Sequence, residues 1–471
     1  MKKLLSVSDA ESLDIKTIKN FYSKYLNANQ EKILSKFSYS NDIFVSAEGM
    51  YMNTKDGKKI LDFSGGIGVL NHGHNNKEIL NARIEFQKNK RVEIHKTIFS
   101  PYTASLAHNI SQILPKDLCK SFFCNSGAES VEGAVKAAYK YHEGKRKYIL
   151  HSDIAFHGKL IASSSLSDTQ SKKIFPELLH KKVFRYNDKN SLEKLIDETK
   201  NRNGSDIYAI IIETYSNSTL TEATEDFVRY LRKITEKHKI ILIFDEVYTG
   251  WGKTGELFHF NHYSNLSPDM LCFSKSFGGG KSSISTYVVN KNIYRKIYEN
   301  NNDAFLHTST YNGFGEECAT AITAINEIFS NNLVKKSNEN GAYIKLKLNE
   351  LKSLFPNEIL DIRGKGSLNG IILSSLVINI PQNIISKLPI LNKNAKILAK
   401  IPAAALSDFL YSKYKIFTVI TENDNEVIFN VSPSLIVDKS EIDWFFDCLK
   451  NSFNYGLNKL IIKFLRNALV K

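Results

Sequence analysis

MLCFSKSFGGGKSS, residues 270 to 283, sets two lysines on either side of three glycines, and its two readings belong to different folds. In one, the glycine run ending at Lys281-Ser282 cradles nucleotide phosphates. In the other, Lys275 is the working residue. An amine at the end of the apolar run MLCFS is desolvated, which disfavours its ammonium form and leaves a nucleophile able to form a Schiff base with an aldehyde. The phosphate loop needs a glycine five residues before its Gly-Lys pair, and counting back from Gly280 that position is Lys275. The acidic strand that would hold magnesium, IILIFDE at 240–246, also precedes the loop instead of following it. An isolated lysine at a strand end more often snorkels to the surface, so the neighbouring motifs decide.

Upstream of Lys275, Asp245 closes the apolar run IILIF, at the carboxyl end of a strand where open α/β sheets form their ligand crevice. A carboxylate there can pair with a protonated pyridine nitrogen, as pyridoxal phosphate requires to act as an electron sink; it can also ligate a metal or cap a helix. Earlier still, CNSGAESVEGAVKAA (124–138) puts Ser126, Gly127 and Ala128 where the strand SFFC meets a helix. Main-chain N–H groups and a hydroxyl at a helix start make a phosphate site, although SGAE alone is equally a capping sequence. A phosphate site, a carboxylate and a lysine, each at a strand end, form a far more specific set than any one of them.

The pattern around these motifs is α/β. Short apolar runs, among them SFFC (121–124), YIL (148–150), YAIIIE (208–213), MLCFS (270–274) and TYVV (286–289), alternate with helical stretches such as EDFVRYLRKITEKHK. Buried strands joined by crossover helices predict a mainly parallel sheet. The expected division is an N-terminal segment over 1–70 with helices and a hairpin around Lys55-Asp56-Gly57, a large α/β domain over 71–335, and a smaller α+β domain over 336–471. The apolar stretch 374–410 is expected to add core to that last domain, and the basic terminal helix NYGLNKLIIKFLRNALVK to pack on it.

Composition narrows the function classes. The net charge of +14 comes from lysines scattered along the chain, without an arginine-rich or zinc-finger segment, so nucleic acid is not an expected partner. Five cysteines without a CxxC pair speak against a disulfide framework or a zinc site and suit a reducing cytoplasm. MKKLL turns polar at once, and no run reaches the roughly 18 apolar residues of a membrane span.

From about residue 45 to 445, motifs follow one another in the order of a known family: LDFSGGIGVLNHGH, FFCNSGAESVEGAVKAA, FHGK, IIIE, LIFDEVYTGWGKTGELFHF, PDMLCFSKSFGGG, HTSTYNG, IRGKGSLNGI and VSPSL. The chain resembles the class III (ornithine, acetylornithine and putrescine type) aminotransferases, fold-type I enzymes that use pyridoxal 5′-phosphate. The resemblance implies that Lys275 carries the cofactor as a Schiff base and Asp245 pairs with its ring nitrogen. It places Val247 on one ring face, Phe156 on the other with His157 beside it, and Ser126, Gly127 and Ala128 on the phosphate. Thr310 would reach the phosphate of a neighbouring subunit, making the active unit a homodimer. Arg363 would clamp a substrate carboxylate, with Glu213 also on the substrate side.

Three departures stand out. The family stretch EPVQGEGG reads ETYSNSTL at 213–220, so its second glutamate becomes Ser218 and Arg363 is expected to stand uncovered. The usual glutamine that contacts the cofactor's phenolic oxygen is Tyr248. GGNP after the HxST motif becomes NGFGEE, and the proline after GGG is missing. The resemblance implies transfer of an amino group from an amino acid or diamine to a 2-oxo acid such as 2-oxoglutarate or pyruvate. An aminomutase or racemase on the same scaffold stays open, and a phosphate-loop hydrolase is disfavoured.

Overall fold

The computed structural model describes residues 4–93, 97–167, 180–202, 204–374, 395–422 and 426–470. After short N-terminal helices come β1 (Phe44–Glu48), β2 (Tyr51–Thr54) and β3 (Lys59–Asp62), with the Lys55-Asp56-Gly57 turn joining β2 to β3 as an antiparallel hairpin. The apolar runs of the middle of the chain become one sheet: β4 (Leu118–Cys124), β5 (Tyr148–Ser152), β6 (Lys181–Phe184), β7 (Ile207–Ile212), β8 (Ile241–Asp245), β9 (Met270–Phe273) and β10 (Ser285–Asn290). Their order is β4-β10-β9-β8-β7-β5-β6.

The strands from β9 to β6 pair in parallel, while β10 runs antiparallel to both β9 and β4. The link from β9 to β10 holds a single 3-10 turn, Lys275–Gly278, too short for a crossover, so the chain must return antiparallel. Every residue of β7, β8 and β9 is buried, as expected of strands covered on both faces. Their side chains alternate. Ile210, Ile212, Leu242, Phe244, Leu271 and Phe273 face one layer, and Ala209, Ile211, Ile241, Ile243, Met270 and Cys272 face the other. Helix α1 (Gly127–Tyr141) covers the second face through Val131, Ala134 and Ala138; α2 (Glu225–His238) and α3 (Gly315–Ser330) cover the first.

A second core belongs to the smaller domain. It contains α4 (Leu333–Leu354) and the sheet β11-β12-β15-β14, formed by Ile359–Lys365, Leu368–Leu373, Val427–Val431 and Ile420–Glu422 respectively. The short strand β13 (Ile416–Phe417) instead joins β3 in parallel, Ile416 opposite Leu61, so both ends of the chain share one sheet. Phe63 stacks on Phe445 of α6 (Lys439–Tyr455) with ring centroids 3.9 Å apart. Of the apolar stretch 374–410, residues 375–394 lie outside the described residues; α5 (Ala395–Phe409) lies within them and buries Leu406 and Phe409 in this core. The basic terminal helix α7 (Leu457–Val470) packs on the same core through Leu460, Ile461, Phe464 and Leu465, as the sequence suggests. Among the described residues no helix is long and apolar enough to cross a membrane.

Because Phe63 joins the N-terminal strands to the C-terminal helices in one stack, Phe63→Ala is expected to cost about 3–5 kcal/mol. Thermal unfolding should shift down by several degrees; a shift within about 1 °C would mean that this contact does not hold the two chain ends together.

Candidate active site

Three strand ends meet where β8, β9 and β4 finish. Lys275 follows β9 with a left-handed φ of 49°, a strained conformation for a side chain other than glycine, and is half-buried, with its amine turned inward. Its Nζ lies 3.8 Å from the centre of the Tyr248 ring. Burial pulls the amine down to about 8, against the opposing pull of Asp245 and Glu213. The Tyr248 phenol is buried too, and burial pushes it up to about 12, so it remains a protonated donor at neutral pH.

Asp245 ends β8 with both oxygens engaged. Oδ1 accepts the Val247 N–H at 3.0 Å, and Oδ2 meets His157 Nδ1 at 2.7 Å. His157, from the FHG loop, is thus fixed behind the carboxylate, with its Nε2 buried and without a partner among the described residues. Glu213, just beyond β7, accepts the Phe156 N–H at 2.8 Å and the Asn217 N–H at 3.1 Å. Burial raises its carboxyl to about 7, helped by nearby Asp245 and opposed by His157. Sequence reading put Glu213 on the substrate side. In the structure its two oxygens take main-chain donors and hold the Phe156 loop.

The phosphate end begins at Ser126, the N-cap of α1. Ser126 Oγ accepts the Glu129 N–H at 3.3 Å, while the Glu129 carboxylate takes the N–H groups of Ser126 and Asn125. That capping box leaves the Ser126 hydroxyl hydrogen and the first-turn N–H groups of Gly127 and Ala128 to face a ligand. A Cβ on Gly127 would lie 2.7 Å from Val247, and one on Gly158 2.7 Å from Ala128, so only glycine lets these segments close together. The residues fit pyridoxal phosphate: an anion site at a helix start, a carboxylate for the ring nitrogen and a desolvated amine, all beside one another.

The glycines after Lys275 serve packing. A Cβ on Gly279 would clash with Ile79 and Ala324, Lys281 Nζ bonds Asn75, and Ser282 Oγ bonds the Glu317 carbonyl, which removes the phosphate-loop reading. Thr310 sits exposed in the loop that Ser309 and Tyr311 anchor to Asn125, next to the Ser126 turn. Arg363 differs from expectation. It is not uncovered: Glu426, from the start of β15, takes it bidentately at 2.7 and 2.9 Å, Asp361 takes Nε at 3.0 Å, and the Thr219 carbonyl takes Nη1 at 2.8 Å. A substrate carboxylate would have to displace Glu426.

Sequence reading missed Lys253, in WGKTG. It is fully buried, its amine pulled down to about 7 by burial, and it donates to the carbonyl of Pro433 at 3.1 Å and of Ser432 at 3.4 Å. It therefore ties the segment after β8 to the VSPSL turn of the smaller domain. A lysine between two glycines is the signal that could have found it, since it has no surface to reach.

The arrangement is that of a fold-type I pyridoxal-phosphate enzyme, and comparison with known proteins narrows the class. The model of the family described as "Aminotransferase class-III" matches residues 38–453. A putrescine aminotransferase of Pectobacterium atrosepticum is 32% identical over 321 residues, 67% of this chain and 67% of that protein. Among solved structures, a transaminase from the marine bacterium Virgibacillus superposes with a TM-score of 0.76 at 23% identity, covering 90% of this chain and 93% of the other. The ornithine aminotransferase of Toxoplasma gondii ME49 gives 0.78 at 19% identity, covering 96% and 99%. These structural likenesses speak to the fold. The chain belongs to the class III aminotransferase family. It is an enzyme of pyridoxal-phosphate-dependent transamination.

The raised Glu213 carboxyl has a stability consequence. Free glutamate titrates near 4.5 and Glu213 at about 7, so between those values the folded state binds the extra proton and stability falls as pH rises. Glu213→Gln removes that cost but sets an amide NH2 against one of the two main-chain donors, a loss that does not change with pH. Relative to the parent, the variant should therefore stand on the order of 2–3 kcal/mol better at pH 8 than at pH 5. Equal melting shifts at the two pH values would contradict the assignment.

Proposed function

We propose that Lys275 is the amine to which the cofactor's aldehyde attaches and the base that moves the proton in transamination. The donor is a primary amine of an amino acid or diamine and the acceptor a 2-oxo acid. The Pectobacterium relative is named for putrescine, which makes a diamine the first donor to test. The observation that carries the reading is the desolvated Lys275 amine, lowered to about 8, at the end of β9 beside the Asp245 carboxylate.

Pyridoxal phosphate, when bound, supplies an aldehyde that condenses with amines and a ring that accepts the electron pair of a broken C–H bond. The chain's own groups supply the rest. Lys275 Nζ is neutral in part at neutral pH, so it would hold the cofactor's aldehyde as an amine and would serve as the base that takes the proton from the donor's amine-bearing carbon. Asp245, oriented by His157 Nδ1 and the Val247 N–H, would keep a proton on the ring nitrogen. Ser126 Oγ and the N–H groups of Gly127 and Ala128 would bind the phosphate, and Val247 and Phe156 would bound the ring. Tyr248 would offer its phenol hydrogen to the phenolic oxygen, at the position where the family pattern has glutamine. The burial of Asp245, His157 and Tyr248 keeps water from these groups.

The active unit in this reading is a homodimer in which Thr310 completes the partner's phosphate site. The exposure of Thr310 and of its neighbour Tyr311, beside the Ser126 turn, supports it. A cytoplasmic setting is supported by the free state of all five cysteines.

Protein loaded with pyridoxal phosphate should show a visible absorbance band that borohydride removes, leaving a mass adduct on the peptide containing Lys275. Lys275→Ala should lose the adduct and the turnover, and Asp245→Asn should keep the adduct while losing about 10²–10³-fold in kcat. Unchanged turnover by Lys275→Ala would sink the mechanism.

A further inference from the structure

The hairpin of Tyr215–Ser216 and Thr221–Glu222, together with β15, carries buried polar atoms without partners among the described residues. The Tyr215 hydroxyl, Thr219 Oγ1 and Asn430 Nδ2 belong to residues only 2%, 3% and 1% exposed, and none has a hydrogen-bond partner among the described residues. Ser432 Oγ lies beside the Tyr248 phenol without a well-formed bond to it. An unpaired buried group costs its desolvation in full, so a collection of them is retained where water or a ligand completes them.

These atoms stand on one wall. In β15 the side chains of Phe429 and Val431 enter the smaller domain's core, so Ile428, Asn430 and Ser432 point the opposite way. Ile428 joins Tyr215, Leu220, Tyr248 and Leu368 in a single apolar cluster, and the Tyr248 ring is the one that carries Lys275 Nζ at 3.8 Å. The wall thus begins at the reacting amine and ends among neutral donors and acceptors.

The charges nearest Tyr215 are already spent. Arg363 is held by Glu426 and Asp361, and Glu222 by Lys365. A free ammonium or carboxylate brought against this wall would lose its water without meeting an opposite charge. Leu220 sharpens the point. It occupies the last position of ETYSNSTL, where the family pattern has glycine, and keeps a left-handed φ of 52°. A Cβ on Gly370 would fall 2.7 Å from Leu220 Cδ1 and 2.3 Å from Ile428 Cγ2, so the strained leucine closes the wall tightly.

We propose that this wall is the subsite for the donor's far end. It selects an uncharged, hydrogen-bonding group, such as the amide of a monoacylated diamine, over a free ammonium or carboxylate. The inference rests on the amine-donor reading above and narrows it.

The test uses the full chain loaded with pyridoxal phosphate and four amines built on the same four-carbon chain: N-acetyl-1,4-diaminobutane, 1,4-diaminobutane, 4-aminobutanoate and butylamine. The acetylated diamine should exceed both charged donors at least about tenfold in kcat/KM. In Asn430→Leu, and independently in Thr219→Val, the ratio of acetylated diamine to butylamine should fall by roughly 5- to 150-fold. N-butylacetamide, which has the far end but no reacting amine, should bind the parent by calorimetry and bind both variants more weakly. A charged donor ahead in the parent, or ratios unchanged in both variants, overturns the proposal alone. Failure of all four amines to react overturns the amine-donor reading and this proposal with it.

Discussion

An amine, two carboxylates and an imidazole share one water-poor space at the ends of β7, β8 and β9, and the rest of the molecule is arranged around keeping them there. Removing such charges from water is costly, and the cost is tolerable only if each group has a fixed partner. Asp245 has His157 and the Val247 N–H, Glu213 has two main-chain donors, and Lys275 has the face of Tyr248. The sheet supplies the rigidity. Strands buried on both faces cannot shift to relieve the strain of Lys275's left-handed backbone, so its side chain stays over the Tyr248 ring.

The smaller domain is tied to this space by groups that do no chemistry themselves. Lys253 reaches from the segment after β8 to the carbonyls of the VSPSL turn, and that turn presents Ser432 to Tyr248. The pocket wall is therefore composite: Tyr248 comes from one domain, Ile428 and Asn430 from the other, and the hairpin carrying Tyr215 and Leu220 lies between them. Chemistry and selectivity are consequently held on separate pieces. Substitutions in ETYSNSTL can reshape what is accepted while leaving Lys275 and Asp245 in place.

What was legible in the sequence follows from this division. Lys275, Asp245 and Ser126 could be read because each stands at the end of an apolar run, and local pattern reports strand ends. The parallel sheet was legible for the same reason, but the reversal of β10 was not, since an apolar run looks the same in either direction. The cover on Arg363 was invisible because its partner, Glu426, lies 63 residues away in the chain and meets it only when β11 and β15 enter one sheet. Glu213 shows the opposite difficulty. Its presence in a family motif was plain, yet the motif says nothing of which way the carboxylate faces.

The pairing of β13 with β3 has a consequence for the order in which the molecule is made. Leu61 and Asp62 emerge from the ribosome long before Ile416 and Phe417, their neighbours in the finished sheet. Until then β1 to β3 form a three-stranded edge with one side unpaired, and Phe63 has no Phe445 to stack on. The central core itself takes in Leu435, so it too is completed only late in synthesis, and the smaller domain closes only when the last helices arrive. A nascent chain stalled anywhere in that interval exposes a bare strand edge, the kind of surface that chaperones shield and aggregates recruit.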